Sequence, residues 1–321
     1  MALRNPRGPD LNEARQENAV GFSIGVCATG EPPTLVELID TIEGERYPSG
    51  FRLEKIIVVA SACSPRALGR LRRMHERDPR FVLAEEDTRR GKVSAINRII
   101  AEAMGEYLVF VNGDAVPSHG SISRLLRSIG KDARVGMVSG FPLIATGRGV
   151  ASRVLELMWG AHNTCTGELN GTSLSNHGTD ELMVVRLHAL DDLPPHVVND
   201  GAYIGGRMRA KGFSVKTLGN AVVKVDVPSV SIEIVRQRRR VLYGHIQIWR
   251  MVGRVPMTAE SLMVFSPRRG FGAVVKTIAG HPRLALALPF AVVLEFISFI
   301  GALKDSFSNQ RRHVVWDRYA D

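Results

Sequence analysis

The stretch GEYLVFVNGDAVP, Gly105 to Pro117, carries an uninterrupted apolar run straight into Asn112-Gly113-Asp114. Read as a buried strand, it ends by presenting one carboxylate, Asp114, with an amide two positions earlier. Asn, Gly and Asp are also favoured turn residues, so the triplet reads as well as a plain turn. A second acid, Asp200, follows Asn199 at the head of the helical segment GAYIGGRMRAKG. There it would act as a proton acceptor or as a helix cap. The third chemical group is RQRRR, Arg236 to Arg240. Gln237 and Arg240 are three apart and share a helical face, and Arg can clamp a phosphate in a bidentate way. The plain alternative for these arginines is a solvated or lipid-facing basic stripe.

Positioning such groups requires a framework, and the first half of the chain supplies a regular one. Short apolar runs (GFSIGVCA, LEKIIVVAS, RFVLAEE, EYLVFVN) alternate with segments of helical periodicity (PTLVELIDTI, RALGRLRRMHER, KVSAINRIIAEAM). Continuous, non-alternating strands between helices predict a parallel sheet covered on both faces. Ligands of such sheets bind at the carboxyl ends of the strands, and Asp114 lies at one of those ends. Further on, RVGMVSGFPLI, ELMVVRL, FSVKTL and NAVVKVD read as strands, and a basic amphipathic helix covers about Ser231 to Arg250.

The segment RRGKVSAINRIIAEAMGEYLVFVNGDAVP resembles the central signature of family 2 glycosyltransferases of the GT-A fold. NDGAYIGGRMRAKGFSVKTLGNAVVKVDVPSVSIEIVRQRRRVLYGH looks like the acceptor-side block of the same family. The resemblance runs roughly from Phe22 to His245. It implies an α/β fold of GT-A type: a Rossmann-like nucleotide-binding half with a mostly parallel central sheet, and a C-terminal helical, partly apolar extension. The implied organisation is a polar lead-in (1–20), a nucleotide-sugar-binding half (21–117), an acceptor-binding half (118–228), a basic Gln-x-x-Arg helix region (229–265) and a membrane-associated helix with a basic tail (266–321).

The resemblance also implies roles. Asp114 matches the family's direct ligand of a divalent cation, Mg²⁺ or Mn²⁺, which would neutralise the departing diphosphate. Asn112 stands where the family has its first acid, so an amide would face the ribose or sugar, with Gly113 beside it. Asp200 matches the catalytic base, with Asn199 beside it on the acceptor side. Gln237 and Arg240, with Arg239, fall on the acceptor and diphosphate end. Val241 replaces the family's Trp, which fits single transfers or an acceptor lacking a sugar at that subsite. Donor recognition falls to Ala28 and Glu31 after the first strand, to Ser61 with Ser64 after the second, and to Lys92 of the Gly-Lys motif. His245 is an additional candidate contact, and Trp316-Asp317-Arg318 is near a tail pattern of membrane-linked members.

Composition narrows the partners. The formal net charge of +10 favours anionic partners, and the absence of aromatic interleaving argues against nucleic acid. Three scattered cysteines with no CxxC pair fit a reducing compartment rather than a disulfide framework. The first twenty residues read as polar, without a secretory signal. The run LALALPFAVVLEFISFIGAL, Leu284 to Leu303, has the length of a membrane-spanning helix, but Pro289 and Glu295 interrupt it. It is expected to span, to lie in the interface or to be buried in the protein. The leading expectation is therefore an inverting glycosyltransferase at the cytoplasmic membrane face, peripheral or anchored by a single helix. It would use a UDP- or GDP-sugar and a glycan or lipid-linked acceptor. The alternative is a catalytically silent GT-A scaffold that binds nucleotide or a partner.

Overall fold

The structure, a computed structural model, describes residues 19–30, 34–144, 149–226, 231–308 and 313–315. Glu31 and Trp316, Asp317 and Arg318 lie outside the described residues. One eight-stranded sheet organises the chain, in the order β3-β2-β1-β4-β7-β6-β8-β5. Its strands are β1 (Val20–Gly30), β2 (Phe51–Cys63), β3 (Phe81–Glu86), β4 (Tyr107–Asn112), β5 (Ala115–Pro117), β6 (Val135–Ile144), β7 (Leu182–Arg186) and β8 (Ser214–Val225). The first four pair in parallel, as their continuous apolar runs predict. β7 runs antiparallel between β4 and β6. β6 and β8 are parallel, and β5 closes antiparallel on β8.

Side chains alternate across each strand, so each run feeds two cores. Ile24, Val26, Val58, Val109 and Val111 pack beneath α1 (Leu35–Gly44). Ile57, Val59, Leu108 and Phe110 pack on the other face, beneath α3 (Lys92–Glu102), the helix that follows α2 (Pro65–Arg77). The same two cores are extended by α4 (Ser121–Gly130) on the first face and by α6 (Asp200–Ala210) on the second. This two-sided covering is what makes strands without alternation stable.

Two expectations change in detail. FSVKTL and NAVVKVD belong to one strand, β8, rather than two. Thr217 pairs with Ser139 and Val222 with Phe141, so the residues between them, including Gly219 and Asn220, bulge out while the strand keeps its partner. The helix α5, Val150–Glu168, lies in a stretch where no element was expected. His162, Asn163, Thr164 and Thr166 dilute its apolar spacing, although Val154, Leu157, Ala161 and Cys165 are buried.

The C-terminal part is helical: α7 (Ser231–Val252), α8 (Ala259–Phe265), α9 (Pro267–Gly280), a 3-10 segment (Pro282–Ala287) and α10 (Leu288–Ser308). Pro289 does not break the apolar run. It stands in the first turn of α10, where a missing N–H costs nothing. Glu295 is neutralised by Arg238 of α7, with N–O distances of 2.8 and 3.0 Å.

Candidate active site

A cleft of about 330 Å³ opens at the carboxyl ends of β1, β2 and β4, between them and α7. Local geometry brings Asp114 there. β4 ends at Asn112, whose N–H donates to the Glu181 carbonyl at 3.2 Å, and the next N–H, of Gly113, donates to the Cys27 carbonyl at 2.9 Å. A Cβ on Gly113 would stand 2.8 Å from that carbonyl oxygen, so only glycine lets the turn hug β1. Asn112-Gly113-Asp114 thus forms a turn, and all three residues line the cleft. Ala28 and Ser61 line it from β1 and β2; Ser61 donates to Glu86 at 2.5 Å. Ser64 is used differently from the expectation: its hydroxyl caps α2 by accepting from the Ala67 N–H at 3.2 Å.

An ion triad, Asp180, Lys92 and Asp200, lies at the start of α6. Asn199 is the helix cap of α6, accepting from the Ala202 N–H at 3.1 Å, which leaves Asp200 free of that task. Asp200 is buried and lies 3.0 Å from the Lys92 ammonium. Lys92 also binds Asp180, a residue the sequence reading passed over. Burial pushes Asp200 up to about 6, against the pull of Lys92 and with a further push from Asp180. Burial works against the charge of Lys92, but the two carboxylates outweigh it and hold the ammonium above its ordinary value. Asp180 is half-buried; its partial burial works against its charge, yet Lys92 keeps it below the usual carboxylate range. Lys92 is thus committed to two acids, where a phosphate or ribose contact was expected.

Glu181, also missed, is buried beside this group. Burial raises it well above the carboxylate range, and the charges of Asp180 and Asp114 add to the effect. Its Oε2 finds no hydrogen-bond partner among the described residues. Among the described residues no three His, Cys, Asp or Glu side chains form a metal cage. A hard cation that shares phosphate oxygens needs only one or two carboxylates, and Asp114 with Glu181 fits that donor set.

α7 closes the cleft. Gln237, Arg238 and Arg240 line it. Arg240 donates to the Val198 carbonyl at 3.2 Å and to the His313 carbonyl at 3.3 Å, bridging the base of α6 and the C-terminal segment. Arg239, expected beside Arg240, points elsewhere. It pairs with Asp305 of α10 at 2.5 and 2.6 Å and does not line the cleft. In a run of four arginines around one glutamine, every face is basic, so spacing alone could not choose among them.

Three imidazoles form the far wall. His177 stands edge-on between His162 and His245, with centroids 5.2 and 5.4 Å away. Burial lowers His162 and His245 to about 4; it also lowers His177, whose two imidazole neighbours add to the shift. His162 Nε2, His177 Nδ1 and His245 Nε2 have no hydrogen-bond partner among the described residues. Of these only His245 was singled out in the sequence. Val314 and Val315 cover another edge, and Gly91, at φ +95°, lets the Val314 carbonyl come close to the start of α3.

The family model for glycosyl transferase family 2 matches residues 23–191, more than half of the chain, and the protein belongs to that family. It is a glycosyltransferase with the GT-A fold. Its fold resembles the mannosyltransferase PcManGT from Pyrobaculum calidifontis, solved with GDP-Man and Mn2+, at 19% identity and a TM-score of 0.59; 89% of this chain and 86% of that one are covered. S. aureus TarS 1-349 in complex with UDP matches at 13% identity and TM-score 0.50, over 88% of this chain and 90% of that one. GalNAc-T7 with UDP, GalNAc and Mn2+ matches at 12% identity and TM-score 0.51, over 73% of this chain and 48% of the other. No curated protein sequence matches this chain.

Proposed function

We propose that the protein transfers a sugar from a nucleotide-sugar donor, a UDP- or GDP-sugar, to a hydroxyl acceptor with inversion, Asp200 acting as the base. The observation that carries this reading is the position of Asp200. It is buried, raised to about 6, and lies 3.0 Å from Lys92, which lines the cleft together with Asp114 and Asn199. A carboxylate with a pKa near 6 is ionised at neutral pH yet basic enough to take a proton from an attacking alcohol. Lys92 holds its geometry, and Asp180 keeps Lys92 charged.

Donor binding falls to Ala28, Ser61, Asn112 and Gly113 at the strand ends. The bound ligands named for PcManGT, TarS and GalNAc-T7 support the donor class. A divalent cation, when bound, would neutralise charge on the leaving diphosphate, and Asp114 with Glu181 would hold it. Gln237 and Arg240, with Asn199, serve the acceptor and diphosphate end, and Arg240 orients the carbonyl that precedes Asn199. The neutral imidazole wall suits hydroxyl groups rather than charged ones. Residues 21–117 act as the donor half, 118–228 as the acceptor half and 229–265 as the roof of the cleft. The basic charge and the apolar segment at 266–321 support work at the cytoplasmic membrane face on a lipid-linked or envelope glycan.

The test is a panel of UDP- and GDP-sugars with Mn2+, followed by nucleoside diphosphate release and by NMR of the product's anomeric configuration. Release from one donor with an inverted product is expected. Silence across the panel, or a retained configuration, overturns the reading.

A further inference from the structure

The C-terminal helix is amphipathic in the wrong sense for a water-exposed surface. On α10 the side turned to the protein is small or polar: Ala291, Glu295, Ser298, Ala302 and Asp305, at successive helical spacings. This stripe lies on α7, fastened by Arg238 to Glu295 and by Arg239 to Asp305. Facing outward are Phe290, Val293, Phe296, Ile297, Ile300 and Phe307, with Phe307 78% exposed. A helix packed on a body surrounded by water does the reverse. The segment Pro282–Phe307 is long and apolar enough to cross a bilayer, with mean hydropathy 2.2, and only 22% of its most apolar window is buried.

A second observation separates crossing from lying flat. Val264 and Phe265 at the end of α8, Phe271 and Val275 on α9, and Leu286 just before α10 are also exposed, at 58% or more. A single spanning helix over Pro282–Phe307 would leave the first four in water. The two carboxylates that anchor α10 to α7, Glu295 and Asp305, stand ten residues apart, about 15 Å along the helix, or half the thickness of a hydrocarbon core. Crossing would draw Arg238, Arg239 and the roof of the cleft toward the bilayer centre, where buried charge is costly. Exposed Arg268, Arg269 and Lys276 on α9 supply positive charge beside the apolar residues.

We infer that α8, α9 and α10 form one monotopic platform that sinks its apolar face into the headgroup–acyl boundary of an anionic bilayer, with α10 lying parallel to the membrane plane. This holds whatever sugar is transferred, and its failure would leave the transfer reading intact.

The test uses the full chain with vesicles of phosphatidylcholine with or without phosphatidylglycerol. Co-flotation with the anionic vesicles, weakened by salt, is expected. Nitroxide labels on Phe271→Cys, Val293→Cys and Phe307→Cys, with labelled wild type as the background control, should report a similar shallow depth at all three. Phe296→Asp, an exposed substitution that leaves the fold intact by circular dichroism, should lower the partition coefficient roughly tenfold or more. Three results overturn the inference: no binding to anionic vesicles, a stable dimer that hides this face from lipid, or label depths that pass through the bilayer centre along α10.

Discussion

The ammonium of Lys92 stands 3.0 Å from the carboxylate of Asp200, though 108 residues separate them in the chain. Lys92 opens α3 just after Gly91, and Asp200 opens α6 just after its cap Asn199. Two helix N-termini therefore converge on one ion cluster, with Asp180 completing the triad. The proposed chemistry depends on this convergence.

The first consequence is a pH profile. Asp200 must be ionised to accept a proton, and it is raised to about 6. The kcat should rise with pH through a midpoint near 6 and level off above it. Lys92 favours the charged form, so Lys92→Met should move the midpoint upward and lower activity at neutral pH. A midpoint that falls or stays fixed in Lys92→Met would show that Lys92 does not act on the base.

The proposed cation role of Asp114 can be read from nucleotide binding. Isothermal titration of UDP or GDP with and without Mn2+ should show tighter binding with the metal, and EDTA should abolish the gain. In Asp114→Asn the metal-dependent gain should shrink by about tenfold or more, while metal-free binding stays as in wild type. An undiminished gain would assign the cation to other ligands.

The two neighbouring arginines should separate cleanly. Arg240→Ala removes a side chain that lines the cleft and holds the Val198 carbonyl, and kcat/KM should fall roughly tenfold or more. Arg239→Ala takes the guanidinium away from buried Asp305 and should cost about 1–3 kcal/mol of stability in urea unfolding. Its kcat/KM with a soluble acceptor should stay near wild type. Equal kinetic losses in both variants would place Arg239 in the site.

The histidine wall makes the fold acid-sensitive. His162 and His245 fall from 6.5 to about 4 on burial, so the unfolded chain binds protons there that the folded chain refuses. The stability is fully present above pH 6.5 and is lost as pH falls toward 4, on the order of 3 kcal/mol for each imidazole. His162→Gln should flatten this slope in urea unfolding at pH 4.5 to 7; an unchanged slope would locate the acid sensitivity elsewhere.

What the sequence disclosed followed from local pattern. A short apolar run bounded by turn residues fits a strand buried on both faces, and the end of β4 puts Asp114 at the cleft. Asp200 was legible as a candidate because a helix visibly starts there, as base or as cap, and it is Asn199 that caps that helix. Asp180 and Glu181 were not legible. Asp180 directly precedes, and Glu181 opens, the stretch ELMVVRL that was read only as a strand, and their surroundings come from Lys92 and Asp114, distant in sequence. His162 stayed hidden on a helix whose periodicity is diluted by polar residues. Arg239 was misplaced because neighbouring side chains on one turn diverge by about 100°, and only packing on α10 shows which way each points.

The most direct measurement is single-turnover transfer by Asp200→Asn with the donor that the panel identifies, beside nucleotide binding by the same protein. Transfer should fall roughly 10²–10⁴-fold, the contribution of a positioned base, while nucleoside diphosphate affinity stays close to wild type. Transfer at a rate near wild type would contradict the assignment of Asp200 and, with it, the central claim.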